Sequence, residues 1–309
     1  MVLSLSVTYP ASKRSEIFEQ MHEAQNWFSI EQDGWHLPAI DEPKNDCGKW
    51  LTKGCLNVPA HKGSEYEGRV FIKTFQKSCY RASCETCHRK WIARESNKAT
   101  RRIEKYEKLS KEPAKHIVVS VPSWDYYKEL RELRKQAYQI LKSVNCKGGT
   151  LIYHPFRYHK ENKLWYFSPH FHVIGFGWIS NVKEIYNQHG WIVKNKGVRD
   201  SVFATFYYQL SHAGIKKGYH TLTWFGSLSY SKLKVEEEPN SDECPVCKAK
   251  LRPVFYYGLF GWEPPPEIVG EYWIEPEGWR ILDANPFYNA PVSNCLAIYR
   301  KHKPRFDMI

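Results

Sequence analysis

The chain has 309 residues, and its 45 Lys and Arg outnumber 33 Asp and Glu to leave a formal charge of +12. Hydrophobic residues make up 42% and aromatics 15%, which excludes a disordered chain, because such chains lack the apolar surface to offset folding entropy. No run reaches the ~18 apolar residues of a membrane span. The opening MVLSLSVTYPASKRSE has no basic leader followed by an apolar stretch, so a cytoplasmic location and no membrane partner are expected. The basic balance favours a polyanionic partner such as nucleic acid.

Residues 1–110 are polar, Cys-bearing and turn-rich to about residue 83. A helix then runs to about 109, with Ile92, Ala99, Ile103 and Tyr106 at helical spacing. Arg94, Lys98, Arg101, Arg102, Lys105 and Lys108 give it a basic surface. Pro113 closes this segment, and residues 116–122 read as a buried β-branched strand. Ser123 suits an N-cap, and Tyr127, Leu130, Leu133, Ala137, Ile140, Leu141 and Val144 form the stripe of a long helix. Gly148-Gly149 predicts a turn into a strand at 150–154, followed by a loop holding Arg157, His159 and Lys160. A long strand at 164–176, a helix at 182–188, a strand at 191–194, a helix at 200–213 and a strand at 219–225 complete the series.

The order β-α-β-β-α-β-α-β predicts an α+β fold with a mainly antiparallel central sheet and helices on one face. Three consecutive parts are expected: a Cys-rich zinc-binding region with the basic helix (1–110), the core (111–231), and a zinc knuckle with an irregular Trp/Pro-rich tail (232–309). There is no internal repeat and no G-x-x-x-x-G-K-[ST] loop, so no nucleotide cofactor is expected.

Two of the nine cysteine positions open C-x-x-C pairs, Cys84–Cys87 and Cys244–Cys247. Without a secretion signal or a thioredoxin-like context, such pairs read as zinc knuckles rather than disulfides. Cys47, Cys55 and Cys79 join them as candidate zinc ligands, and with His61 or His88 they fill one or two four-coordinate Zn²⁺ sites whose pairing stays open. A clamp joining 84–87 to 244–247 is one such pairing. Cys146 and Cys295 have no partner spacing and read as buried thiols.

In Ser168-Pro-His170-Phe-His172, strand alternation points both imidazoles to one face, a platform for a divalent ion. On the later helix, Tyr208 lies one turn before His212, so a tyrosine hydroxyl and a third imidazole can meet. Such a tyrosine is a credible covalent nucleophile; Tyr207 is the alternative, although helix spacing assigns it to the core.

Taken in order, HIVVSVP, SPHFHVIGFG and YYQLSHAGI resemble the three motifs of HUH endonucleases, and most of all the rolling-circle replication initiators of archaeal plasmids and viruses. The similarity spans roughly 79–250, including SCYRASCETCHRKW, TLIYHPFR and GYHTLTWFG. It implies a ferredoxin/RRM-like core. His170, His172 and, by analogy with related transposases, His212 would hold Mn²⁺ or Mg²⁺. Many members carry Lys after the nucleophile, where this chain has His212. The single well-placed tyrosine implies the one-tyrosine type. The implied activity is nicking and rejoining of single-stranded or melted origin DNA through a 5′-phosphotyrosine, with a host helicase and polymerase as partners. Arg89, Lys90, Arg94, Arg101, Arg102, Arg157, Lys216 and Lys217 are candidate DNA contacts, and His154 is a candidate for touching phosphate or base. The alternatives are a transposase or relaxase with the same chemistry, and a non-catalytic zinc-dependent DNA-binding regulator.

Overall fold

The computed structural model describes residues 19–55, 57–235, 243–253 and 279–283. Along the chain the elements are β1 (Glu31–Gln32), β2 (Trp35–His36), β3 (Trp50–Gly54), β4 (Arg69–Gln76), α1 (His88–Ser110), β5 (Lys115–Ser120), α2 (Leu130–Ser143), β6 (Cys146–His159), β7 (Leu164–Gly177), α3 (Val182–His189), β8 (Ile192–Val198), α4 (Val202–Ser211), β9 (Leu222–Gly226), β10 (Arg252–Pro253) and β11 (Trp279–Asp283). They fall into two units, residues 1–42 with 80–235 and residues 43–79 with 236–309. Both units are discontinuous in sequence, unlike the three consecutive parts expected above.

The first unit is an α+β fold around a five-stranded antiparallel sheet in the order β8-β5-β7-β6-β9. The strand–helix order matches the sequence pattern, but the helices cover both faces rather than one. The reason lies in the two central strands, which carry apolar side chains at odd and even positions alike. Leu151, Tyr153, Phe171 and Val173 enter a core with Leu133, Ala137 and Leu141 of α2 and Ile185 of α3. Their neighbours Ile152, Ile174 and Phe176 enter another, with Ile92 and Ile103 of α1 and Phe206 and Leu210 of α4.

β6 is far longer than 150–154. Gly148 and Gly149 lie within it instead of turning, and Arg157 and His159 belong to the strand rather than a loop. A Cβ at Gly149 would sit 2.5 Å from the Ile174 carbonyl oxygen, so the glycine permits close strand approach rather than a turn. Pro155 has no N–H for the ladder, and the β6–β7 register shifts between His154 and Phe156.

The second unit holds a four-stranded sheet, β10-β3-β4-β11, whose paired strands are antiparallel. The stretch expected to be turn-rich therefore supplies two strands, and the tail expected to be irregular supplies one. Its described core cluster is small: Cys55, Phe71, Cys244 and Leu251. Cys295 and most of the tail lie outside the described residues. Among the described residues, no helix is long and apolar enough to cross a membrane.

Candidate active site and metal centres

The sheet brings three histidines together on the α1/α4 face. His170 and His172, two residues apart on β7, point to the same face, and His154 stands opposite His170 on β6. One ring nitrogen from each of His154, His170 and His172 lies within 4.8 Å of the others. His170 Nδ1 is 2.8 Å from the Ser168 carbonyl oxygen and so donates to it, leaving Nε2 for a ligand. His154 is fully buried, yet neither of its ring nitrogens has a hydrogen-bond partner. A buried polar group left unsatisfied costs about 1–3 kcal/mol, and an ion is one of the agents that removes such a cost. The residues therefore fit a divalent cation. By sequence, His154 is only a candidate for touching phosphate or a base; what brings it to the metal group is the pairing of its strand with the H-x-H strand.

The electrostatics agree with that fit. Burial holds His154 and His172 well below the usual imidazole value, with neighbouring histidines adding to the effect. His170 is pushed down to about 3 by burial and then by the nearby Arg157 charge. All three are neutral at pH 7, the form that binds metal.

His212 lies beside this group rather than within it. Its ring centroid is 4.6 Å from that of His154 and 6.4 Å from that of His172. It caps α4, and burial lowers it to about 3. The placement follows from local chemistry at both ends of the helix. The Ser201 hydroxyl accepts from the Ala204 N–H at 3.1 Å to start α4. After His212, the Gly214 N–H donates to the Tyr153 carbonyl at 2.9 Å. A Cβ at Gly214 would lie 2.4 Å from Pro155 Cδ, so only glycine lets the exit strap rest on β6.

Tyr208 packs against His212, with ring centroids 4.9 Å apart, and so reaches the histidine group through that residue. It is 38% exposed, which leaves an approach from solvent. Its hydroxyl donates weakly to Met21 Sδ at 3.9 Å, and burial raises its pKa above the usual value. Tyr207 instead packs, partly buried, against the core on the α1 side.

Arg157 lies beside the histidines. Its Nε donates to Ser168 Oγ at 3.1 Å and an Nη to Ser120 Oγ at 2.7 Å. Both partners are neutral hydroxyls, so its charge stays available to an anion. Of the other candidate DNA contacts, Arg89 and Lys217 are exposed, and Lys90 and Arg101 are partly exposed. Arg94 pairs with Glu95 at 3.0 Å and covers the Tyr80 ring. Lys216 donates to the Asp33 carbonyl at 2.7 Å and lies over the Trp35 and Tyr219 rings. Arg102 requires a correction. It is buried, donates to the Leu228 and Leu233 carbonyls at 3.0 and 2.7 Å, and sits between the Trp224 and Tyr230 rings. It anchors the segment after β9 and presents no surface charge.

The second unit gathers Cys55, His61, Cys244 and Cys247. His61 Nε2 is 3.5 Å from Cys55 Sγ and 3.4 Å from Cys244 Sγ, and Cys55 Sγ is 3.5 Å from Cys247 Sγ. Ligand bonds of ~2.0–2.3 Å in a tetrahedron give edges of roughly 3.4–3.8 Å, so the spacing suits zinc. His61 Nδ1 donates to the Arg69 carbonyl at 2.8 Å, which aims Nε2 at the thiols. The Cys244–Cys247 knuckle is closed by the Cys244 N–H donating to the Ala249 carbonyl at 2.9 Å. Since Cys244 and Cys247 meet Cys55 and His61, they do not form the clamp with 84–87 considered from sequence. Cys84 and Cys87 are buried in a turn of the first unit, where the Cys87 N–H donates to the Cys84 carbonyl at 3.2 Å. Cys47 and Cys79 belong to the second unit, and Cys146 is a buried thiol on β6, pushed up to about 11 by burial.

Comparison of the chain with protein-family models, curated proteins and solved structures returns no match.

Proposed function

We propose that the chain is a HUH-type single-stranded DNA endonuclease and strand transferase that initiates rolling-circle replication. The observation that carries this reading is the histidine trio, two of its rings buried and one with both ring nitrogens unpartnered, with His212 between it and a solvent-reachable tyrosine: the His212 ring lies against both His154 and Tyr208. His154, His170 and His172 would hold Mn²⁺ or Mg²⁺, the all-imidazole set favouring Mn²⁺. Bound there, the cation supplies positive charge to a non-bridging oxygen of the scissile phosphate.

The chain's own residues do the rest. Arg157, held by Ser120 and Ser168, contributes a second positive charge to the phosphate. His212 buttresses the Tyr208 ring. The Tyr208 hydroxyl oxygen attacks phosphorus and gives up its proton. The bond from phosphorus to the 3′-oxygen breaks, and that oxygen leaves as a protonated 3′-hydroxyl. The 5′-phosphate stays on Tyr208 as an ester that conserves the bond energy, so a later 3′-hydroxyl can reseal or transfer the strand without a nucleotide cofactor. Cys55, His61, Cys244 and Cys247 would hold a structural zinc ion.

The test is incubation with a labelled random single-stranded DNA library and Mn²⁺, followed by a denaturing gel. The expected result is a covalent adduct in the wild type and in Tyr207→Phe, and none in Tyr208→Phe. Tight binding with no cleavage would instead identify a non-catalytic regulator. Cleavage products matching the ends of a mobile element, rather than a replication origin, would favour a transposase.

A further inference from the structure

His116 lies on β5, outside the three-histidine group, yet it touches that group directly. Its position faces Ile174 in the ladder, and the next pair on the same face is Val118 with His172. The His116 and His172 rings are therefore diagonal neighbours, and they lie nearly parallel, with centroids 5.1 Å apart and planes 24° apart. Nε2 of His116 is 2.8 Å from Nδ1 of His172. His116 is buried, at 7% exposure, so this contact is not a loose surface encounter.

Two neutral imidazoles joined by one hydrogen bond have only two proton arrangements. In the first, His172 carries its proton on Nδ1 and donates to His116 Nε2; His172 Nε2 then has a free lone pair, and His116 carries its proton on Nδ1. In the second, His116 donates from Nε2 to His172 Nδ1. The proton of His172 then sits on Nε2, where it blocks a cation. The two arrangements present opposite chemistry to the site with no change in heavy-atom positions.

We propose that His116 is the positioning residue of the site: by accepting from Nδ1–H it fixes the tautomer and ring orientation of His172 and leaves Nε2 for the cation. The Ser168 carbonyl does the same for His170, so both ligands of the H-x-H strand are oriented through Nδ1. His154 has no such partner, which makes the other two rings the fixed frame into which the ion enters. The inference rests on the histidine trio being a metal site and not on the tyrosine chemistry.

The test uses the full chain with ¹⁵N-labelled histidine. Long-range ¹H–¹⁵N spectra of the metal-free protein report the His172 tautomer, and Mn²⁺ affinity is read by electron paramagnetic resonance. In the wild type, His172 is expected as Nδ1–H. Gln at 116 can place a carbonyl oxygen near the position of Nε2, so His116→Gln should keep both that tautomer and the affinity. His116→Phe keeps the shape but removes the acceptor, and should lose roughly 10- to 100-fold in affinity, the usual effect of deleting such a partner. Circular dichroism of both variants separates this loss from misfolding. An Nε2–H tautomer at His172 in the wild type would overturn the proposal. So would a His116→Phe protein that is folded and binds Mn²⁺ as the wild type does. A wild type that shows the Nδ1–H tautomer but takes up no Mn²⁺ would support the assignment of His116 while refuting the metal reading.

Discussion

His154 is expensive where it stands: a buried imidazole with two unpartnered nitrogens lowers stability unless something binds it. Replacement by an apolar residue of similar volume should therefore separate stability from function. His154→Leu is expected to raise the metal-free melting temperature, or leave it unchanged, while reducing Mn²⁺ affinity at least tenfold; thermal melts and a metal titration check the two halves. The same burial sets a pH dependence. His170 and His212 are both lowered to about 3, against 6.5 when unfolded, and His154 and His172 are lowered as well. Below about pH 6.5 the unfolded chain binds protons that the native chain refuses, so stability falls as the pH drops. For His170 and His212, metal-free protein should lose about 1.4 kcal/mol per pH unit each between roughly pH 6 and 4, measured by urea unfolding, with the other two rings acting in the same direction. A flat profile across that window would show that these rings are not buried neutral.

Secondary elements carry the site only because two strands and one helix end meet at fixed heights. Gly214 is the joint, its N–H on Tyr153 and its α-carbon against Pro155. Gly214→Ala drives a methyl into the proline ring and should cost about 1–3 kcal/mol, read by denaturant unfolding. It should also lower adduct yield, because His212 and Tyr208 move with the helix end. Much of this layer was legible in the sequence. Alternation marked His170 and His172, and i,i+4 spacing marked Tyr208 and His212. Local pattern could not show that β6 runs from Cys146 to His159, because Gly148-Gly149 and Pro155 look like breaks. Their meaning depends on a neighbouring backbone, Ile174 in one case and the Gly214 strap in the other. His154 was missed as a metal-site member for that reason, and Arg102 was misassigned because a cation at helical spacing looks the same whether it meets solvent or carbonyl oxygens.

Across the molecule, the +12 charge gives a general attraction for a polyanion, and Arg157 gives that attraction a chemical address beside the histidines. The second unit has a different problem. Its described apolar cluster is small, and half of that cluster is cysteine, so a bound ion would supply stability that packing does not. Cys244→Ser and His61→Ala should each lower zinc content by one equivalent by elemental analysis, and chelation should lower the melting temperature; unchanged zinc in both variants would dismiss this centre. The central claim concerns Tyr208, and it is tested most directly by covalent capture on single-stranded DNA with Mn²⁺, nuclease trimming, and mass spectrometry of the linked peptide. The account predicts a nucleotide 5′-phosphate esterified to Tyr208 and no adduct in Tyr208→Phe. Cleaved DNA with no peptide adduct, or a nucleotide mapped to Tyr207 or any other side chain, would contradict it.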